Sequence, residues 1–196
     1  MATSLSNLPA LEWVGRPGVE GPEVRDYAEG TSETFKKGDL VVYDVSEDGL
    51  VVAAQGDGGV YGDTGNDEVA DNVFNLGIAL QDASGTAGTL ISVLIPSQSD
   101  RFAAAIFSTD NTTVAAPVGD DIGTLVDFIK GDTNNGSKTG VLRGTAGLWA
   151  KIVDISAQDR SFRSGGVGAA EPTYSAGDRV IVEFQVAALS GKGSIA

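Results

Sequence analysis

The sequence predicts an all-β protein: one or two small, glycine-rich β-barrel or sandwich domains, preceded by an extended N-terminal arm. Three observations carry this. Short Val- and Ile-rich runs are bounded by Gly, Asp, Asn and Ser clusters. Glycine is abundant, with 27 copies, while aromatic residues make up only 7%, which suits many tight turns better than long helices. And the length of 196 residues accommodates one large β domain or two small ones.

Residues 1–33 form the expected arm. Pro9, Pro17 and Pro22 recur without any sustained apolar period, and proline holds its neighbours extended while lacking a ladder donor. Leu8, Leu11, Trp13, Val14 and Tyr27 are poorly suited to free solvent. They either pack along the chain's own body or lie on a partner, since termini are ordered only when something ties them down.

A first β-barrel domain is expected over residues 34–109, with strands in "DLVVYDV", "GLVVAA", "NVFNLGIAL", "GTLISVLIP" and "RFAAAIF". Polar alternation is weak in "LVVY", so both faces of that strand are expected to be covered. A second β domain is expected over 110–196. It holds one short helix near 120–130, because Ile122, Leu125, Val126 and Ile129 fall at helical spacing, with a strand as the competing reading. Further strands are expected in "GVLRGT", "LWAKIVDIS" and "DRVIVEFQVAAL", the last two separated by a Gly-rich loop over 157–177. Trp149 reads as a core residue at a strand start.

"FKKGDLVVYD" and "YSAGDRVIVEF" share an aromatic residue, a Gly-Asp pair and a Val-rich strand, with a weaker echo in "TAGTLISVLIP". A longer alignment lays "GIALQDASGTAGTLISVLIPS" on "AKIVDISAQD…YSAGDRVIVEFQVA". This pattern is what a tandem duplication, or one barrel using the same turn repeatedly, would produce.

Composition removes several chemistries. With no Cys and no His, there is no disulfide, no thiolate nucleophile, no zinc site of the usual kind and no Ser–His–Asp apparatus. The N-terminus lacks the charge and apolar core of a secretory signal, and no apolar run approaches a membrane span. The net charge is −14, and no Lys or Arg stands between Lys37 and Arg101. Such a surface repels phosphate and anionic lipid, so neither nucleic acid nor membrane is an expected partner.

Two acidic loops are candidate calcium sites. From Asp44, oxygen-bearing residues fall near EF-hand spacing through Ser46, Asp48 and Gly49 to Gln55. The twelfth ligand is an amide and the flanks are strands, so a β-hairpin with "SEDG" at its tip is expected instead. Asp57, Asp63, Asp67, Glu68 and Asp71 form a denser cluster without a defined spacing, which suits either a cation or a solvated loop. No metal or other cofactor is assigned. Trp13 and Trp149 stand beside no distinctive acid pair, so a glycosidase cleft is not indicated and no enzyme activity is expected.

The order "ETFKKGDLVVYD…GLVVAA…VFNLGIALQDASGTAGTLISVLIPS" resembles bacteriophage head decoration proteins, also called capsid cement or auxiliary proteins. Gly38, Asp39 and Val41, then Gly77 to Leu80, then Gly88, Ile91 and Val93 carry the resemblance, over the first half of the chain. It implies a structural virion protein on the outer capsid surface, trimeric, bound to the major capsid protein through the arm residues Leu8, Leu11, Trp13, Val14 and Tyr27. Deleting residues 2 to 30 is then expected to leave a folded protein that no longer binds shells. The competing expectation is a carbohydrate-binding or adhesion module of a fibre or surface protein.

Overall fold

The computed structural model describes residues 11–15, 21–44, 48–52, 73–97, 100–131, 138–144, 149–156, 174 and 178–185. It is mostly strand and arranged as two sheets, sandwich-like and without a closed barrel. In chain order the strands are β1 (Glu12–Gly15), β2 (Glu23–Ala28), β3 (Leu40–Asp44), β4 (Gly49–Val52), β5 (Val73–Ala79), β6 (Leu90–Ile95), β7 (Arg101–Ala104), β8 (Ile106–Phe107), β9 (Leu125–Lys130), β10 (Thr139–Leu142), β11 (Ala150–Ser156) and β12 (Arg179–Phe184).

The smaller sheet has the order β2-β6-β5-β3-β4, all antiparallel. Its strands begin where the sequence supplies a turn. In Lys36–Asp39 the Asp39 N–H closes onto the Lys36 carbonyl at 2.9 Å, and Gly38 takes φ 89°, a left-handed value that disfavours any side chain. Thr86–Thr89 repeats this turn before β6, with Gly88 at φ 81°. The echo between "KKGD" and "TAGT" is therefore a shared turn geometry. β3 and β4 form the expected hairpin, Asp44 facing Gly49 across it.

Both faces of β3 are covered, as its lack of alternation implied. Leu40 and Val42 enter the main core, while Val41 joins Phe35, Ala79, Ile91 and Val93 in a separate cluster on the other face. The sheet curls enough to bring its two edges together at one end. The Tyr27 and Tyr43 ring centroids are 5.9 Å apart, and Gly49 sits directly against the backbone of Gly30.

The larger sheet has the order β1-β7-β12-β11-β9-β10-β8, with β8 and β10 parallel. Its inner face carries Phe102, Val126, Phe128, Ile152, Val182 and Phe184, which meet Leu40, Val42, Ile78 and Leu94 of the smaller sheet in one core. The rings of Phe102 and Phe128 both pack on Phe184, at 5.1 and 4.7 Å. β7 and β8 precede residue 110 yet share this sheet with strands that follow it, so the expected division at 109/110 falls inside a single sheet.

The helix expected near 120–130 is not formed. Gly119–Asp121 makes a single 3-10 turn and residues 125–130 form β9. Gly123, at φ 91°, and Thr124 break the helical run, Ile122 and Leu125 are left exposed, and the buried side chains Val126 and Phe128 follow a period of two. The two segments aligned as a repeat each supply an antiparallel pair, β5 with β6 and β11 with β12, in different sheets.

Candidate functional site

Three buried aspartates build the frame on which the surface is hung, and they do so in the same way. Asp39, Asp100 and Asp121 each end a four-residue turn whose first N–H returns to the carboxylate: Lys36 N–H to Asp39 Oδ2 at 2.8 Å, Ser97 N–H to Asp100 Oδ2 at 2.7 Å, and Val118 N–H to Asp121 Oδ2 at 2.7 Å. In each turn the aspartate's own N–H donates to the carbonyl of that first residue. The second oxygen then reaches a distant donor. Thr139 Oγ1 donates to Asp39 Oδ1 at 3.2 Å, Trp13 Nε1 to Asp100 Oδ1 at 3.0 Å, and Arg143 Nε to Asp121 Oδ1 at 2.9 Å.

Two of the three also hold a cation. Lys130 Nζ lies 2.6 Å from Asp39 Oδ2, and Arg143 Nη2 lies 2.7 Å from Asp121 Oδ2 in a forked pair, which also donates to the Ala116 carbonyl. A buried carboxylate so supplied with donors is satisfied rather than reactive. Sequence reasoning noticed Gly38-Asp39 as a turn but missed the clamp. The signal was an aspartate at the fourth place of "KKGD", "SQSD" and "VGDD".

Glu29 is a fourth buried acid, placed just beyond β2. Its carboxylate accepts the Ser84 hydroxyl at 2.7 Å, the Ser84 N–H at 2.9 Å and the Gly85 N–H at 2.6 Å. Burial pushes its carboxyl up, but the hydrogen bonds from Ser84, Gly85 and Thr86 outweigh that and hold it below its ordinary value. The effect is to clasp the turn before β6 to the end of β2.

The proposed contact residues of the arm fall into different environments. Leu8 lies outside the described residues. Leu11 is buried in the main core and Trp13 packs against it, so both serve the chain's own fold. Tyr27 is half-buried against the Phe35 cluster. Val14 is 47% exposed and remains available to a partner. The arm is extended where described, but as strands: β1 pairs with β7 and β2 with β6. Deletion of residues 2 to 30 would remove an edge strand from each sheet and a core leucine.

Other exposed apolar side chains gather at two places. Val24 on β2 and Leu90 at the start of β6 lie on one face of the smaller sheet, separated by the Ser92–Asp26 hydrogen bond of 2.7 Å. Val118, Ile122 and Leu125 flank the Asp121 clamp. By contrast, the described aromatic side chains are buried or half-buried, Trp149 packing against the main core beside β11 as the sequence suggested.

The first calcium candidate is taken up by the hairpin. Asp48 adopts φ 48° at the tip and its Oδ1 accepts the Tyr43 hydroxyl at 2.7 Å. Ser46, Gln55, the acidic stretch 57–71 and nearly all of the Gly-rich loop 157–177 lie outside the described residues. Among the described residues, no group of three or more acids is placed to hold a metal ion, and no helix is long and apolar enough to cross a membrane.

No known family, no curated protein and no solved structure matches this chain.

Proposed function

We propose that this protein is a structural virion component that docks on the outside of a bacteriophage capsid and stabilises the shell, as a trimer. The observation that carries the reading is the placement of the N-terminal segment. It supplies an edge strand to both sheets, β1 to one and β2 to the other, and each carries a half-exposed valine, Val14 and Val24, both 47% exposed. Edge strands offer unpaired N–H and C=O groups to another chain, and an exposed apolar side chain beside them adds burial on docking.

The acidic balance supports an outward-facing role, since a chain of net charge −14 is repelled by packaged nucleic acid. The saturated carboxylate clamps support a protein that works through surfaces. In a trimer, docking of one protomer raises the effective concentration of the others, so modest contacts become durable.

The test is co-sedimentation of the purified protein with expanded phage capsids that lack such a component, followed by imaging of the bound shells. Saturable binding at three-fold positions is expected, with loss of binding in a Val14→Asp/Val24→Asp double variant that keeps its unfolding midpoint. Absence of binding to every shell tried, or full binding by the folded double variant, overturns the reading.

A further inference from the structure

The chain has six lysines, and four of them, Lys36, Lys37, Lys130 and Lys138, adjoin Asp39 or Asp82, near where the turn that opens β3 meets β9 and β10. Lys130 Nζ is held on Asp39, whose carboxylate also takes the Lys36 N–H. Lys36 Nζ lies 3.2 Å from Asp82, which accepts the Lys37 N–H at 2.9 Å, and Lys138 is near enough to act on Asp82 through space. Two of these ammonium groups touch a carboxylate, Lys130 on Asp39 and Lys36 on Asp82, so the four lysines outnumber the two acids they adjoin. This is a local excess of positive charge on a chain that is otherwise strongly acidic.

We infer that this lysine corner is a docking point for an acidic segment of a partner protein. The ligand class follows from what the loop no longer offers. The N–H groups of Lys36 and Lys37, which would seat a phosphate in an anion nest, are already consumed by Asp39 and Asp82. What faces outward is a set of ammonium groups on flexible stems, with Lys36 and Lys37 exposed. Such groups suit a run of carboxylates better than a fitted phosphate, for which forked arginine is the stronger recogniser.

The chain's net charge sets an unusual salt dependence. At about 0.1–0.15 M salt the screening length is about 8–10 Å, so a ligand at the corner feels mainly the nearby lysines. At about 0.01 M salt it reaches about 30 Å, and the rest of the acidic molecule repels the same ligand. Binding therefore peaks at intermediate ionic strength and falls on either side.

The inference is independent of shell docking and is tested on the full chain alone, with fluorescein-labelled polyglutamate as the probe in an anisotropy titration. Expected are a maximum near about 0.1 M salt and affinity weakened about fivefold or more in Lys36→Glu/Lys37→Glu. Lys37→Glu alone, which leaves the Lys36–Asp82 and Lys130–Asp39 pairs intact, should weaken binding about twofold. The charge-matched pair Arg25→Glu/Lys151→Glu, placed elsewhere, should change affinity by less than about twofold. No binding at any ionic strength, equal loss in both double variants, or tighter binding of an oligothymidylate than of polyglutamate overturns it.

Discussion

Lys130 Nζ lies 2.6 Å from Asp39 Oδ2, joining a strand of the larger sheet to the turn that opens β3 in the smaller one. Thr139, which faces Lys130 across the β9–β10 pair, donates to the other oxygen of the same carboxylate. A single buried acid thus links both strands of one sheet's hairpin to the other sheet. Its side chain is 1% exposed while that of Lys130 is 18% exposed, so the acid depends more on the lysine than the reverse.

Removing the cation should therefore cost more than removing the pair. Lys130→Met leaves Asp39 buried without its counter-charge and is expected to lower the unfolding free energy by about 3 kcal/mol. Asp39→Asn/Lys130→Met should fall short of the sum of the two single changes by about 1 kcal/mol or more. Urea unfolding of the four proteins reads this directly, and strict additivity would show that the pair is not coupled.

Acid should act first through Glu29. Its carboxyl is held below the ordinary value of 4.5 in the folded state, so the unfolded chain binds a proton more readily in that range. The stabilisation is complete above the unfolded value and is lost as pH falls through the folded one. Between about pH 6 and about pH 3 the native protein should lose stability more steeply than Glu29→Gln, which is itself weaker at neutral pH by about 1–3 kcal/mol. Parallel pH profiles in the two proteins would remove Glu29 from the account.

Gly49 is expected to resist substitution. A Cβ there would stand 2.5 Å from the Gly30 Cα and N, where backbone meets backbone. Gly49→Ala should cost about 2–3 kcal/mol by forcing the two sheet edges apart. Gly119→Ala, with open space around its Cβ, should cost less than about 0.5 kcal/mol. Thermal unfolding of both variants gives the comparison.

The N-terminal strands should behave as body rather than appendage. Leu11→Ala is expected to cost about 2–4 kcal/mol from a core site. Trp13→Phe keeps much of the packing but removes a donor from buried Asp100, for about 1–3 kcal/mol. Denaturant midpoints unchanged from the parent in both would mean that β1 is detached in solution.

Much of the strand pattern was legible because Val-rich runs, Gly-Asp turns and hairpin chemistry act locally. Lys36–Asp39 could be read as a turn from four residues, and β3 as doubly covered from its missing alternation. Residues 122–129 were misread because a short apolar run satisfies both periods. The decision fell to the Gly123–Thr124 break and to the buried place waiting for Phe128 beside Phe184. The placement of Leu11 and Trp13 was not legible at all. It depends on Phe102 and Asp100, about which the local sequence of the arm carries no information. The clamp aspartates were hidden for the same reason: a turn shows where a carboxylate begins, and only the fold shows which distant donor its second oxygen meets.

The order of strands in the larger sheet also fixes when it can be finished. β12, the last of the described strands, lies between β7 and β11. Until residues 179–184 leave the ribosome, β1 and β7 are separated from β11, β9, β10 and β8 by an empty lane, and β1 waits for β12. Such non-local assembly is slow, and it exposes two unfinished sheet edges during synthesis. A nascent chain halted before Arg179 is thus a sheet in two halves, ready to pair with the wrong neighbour.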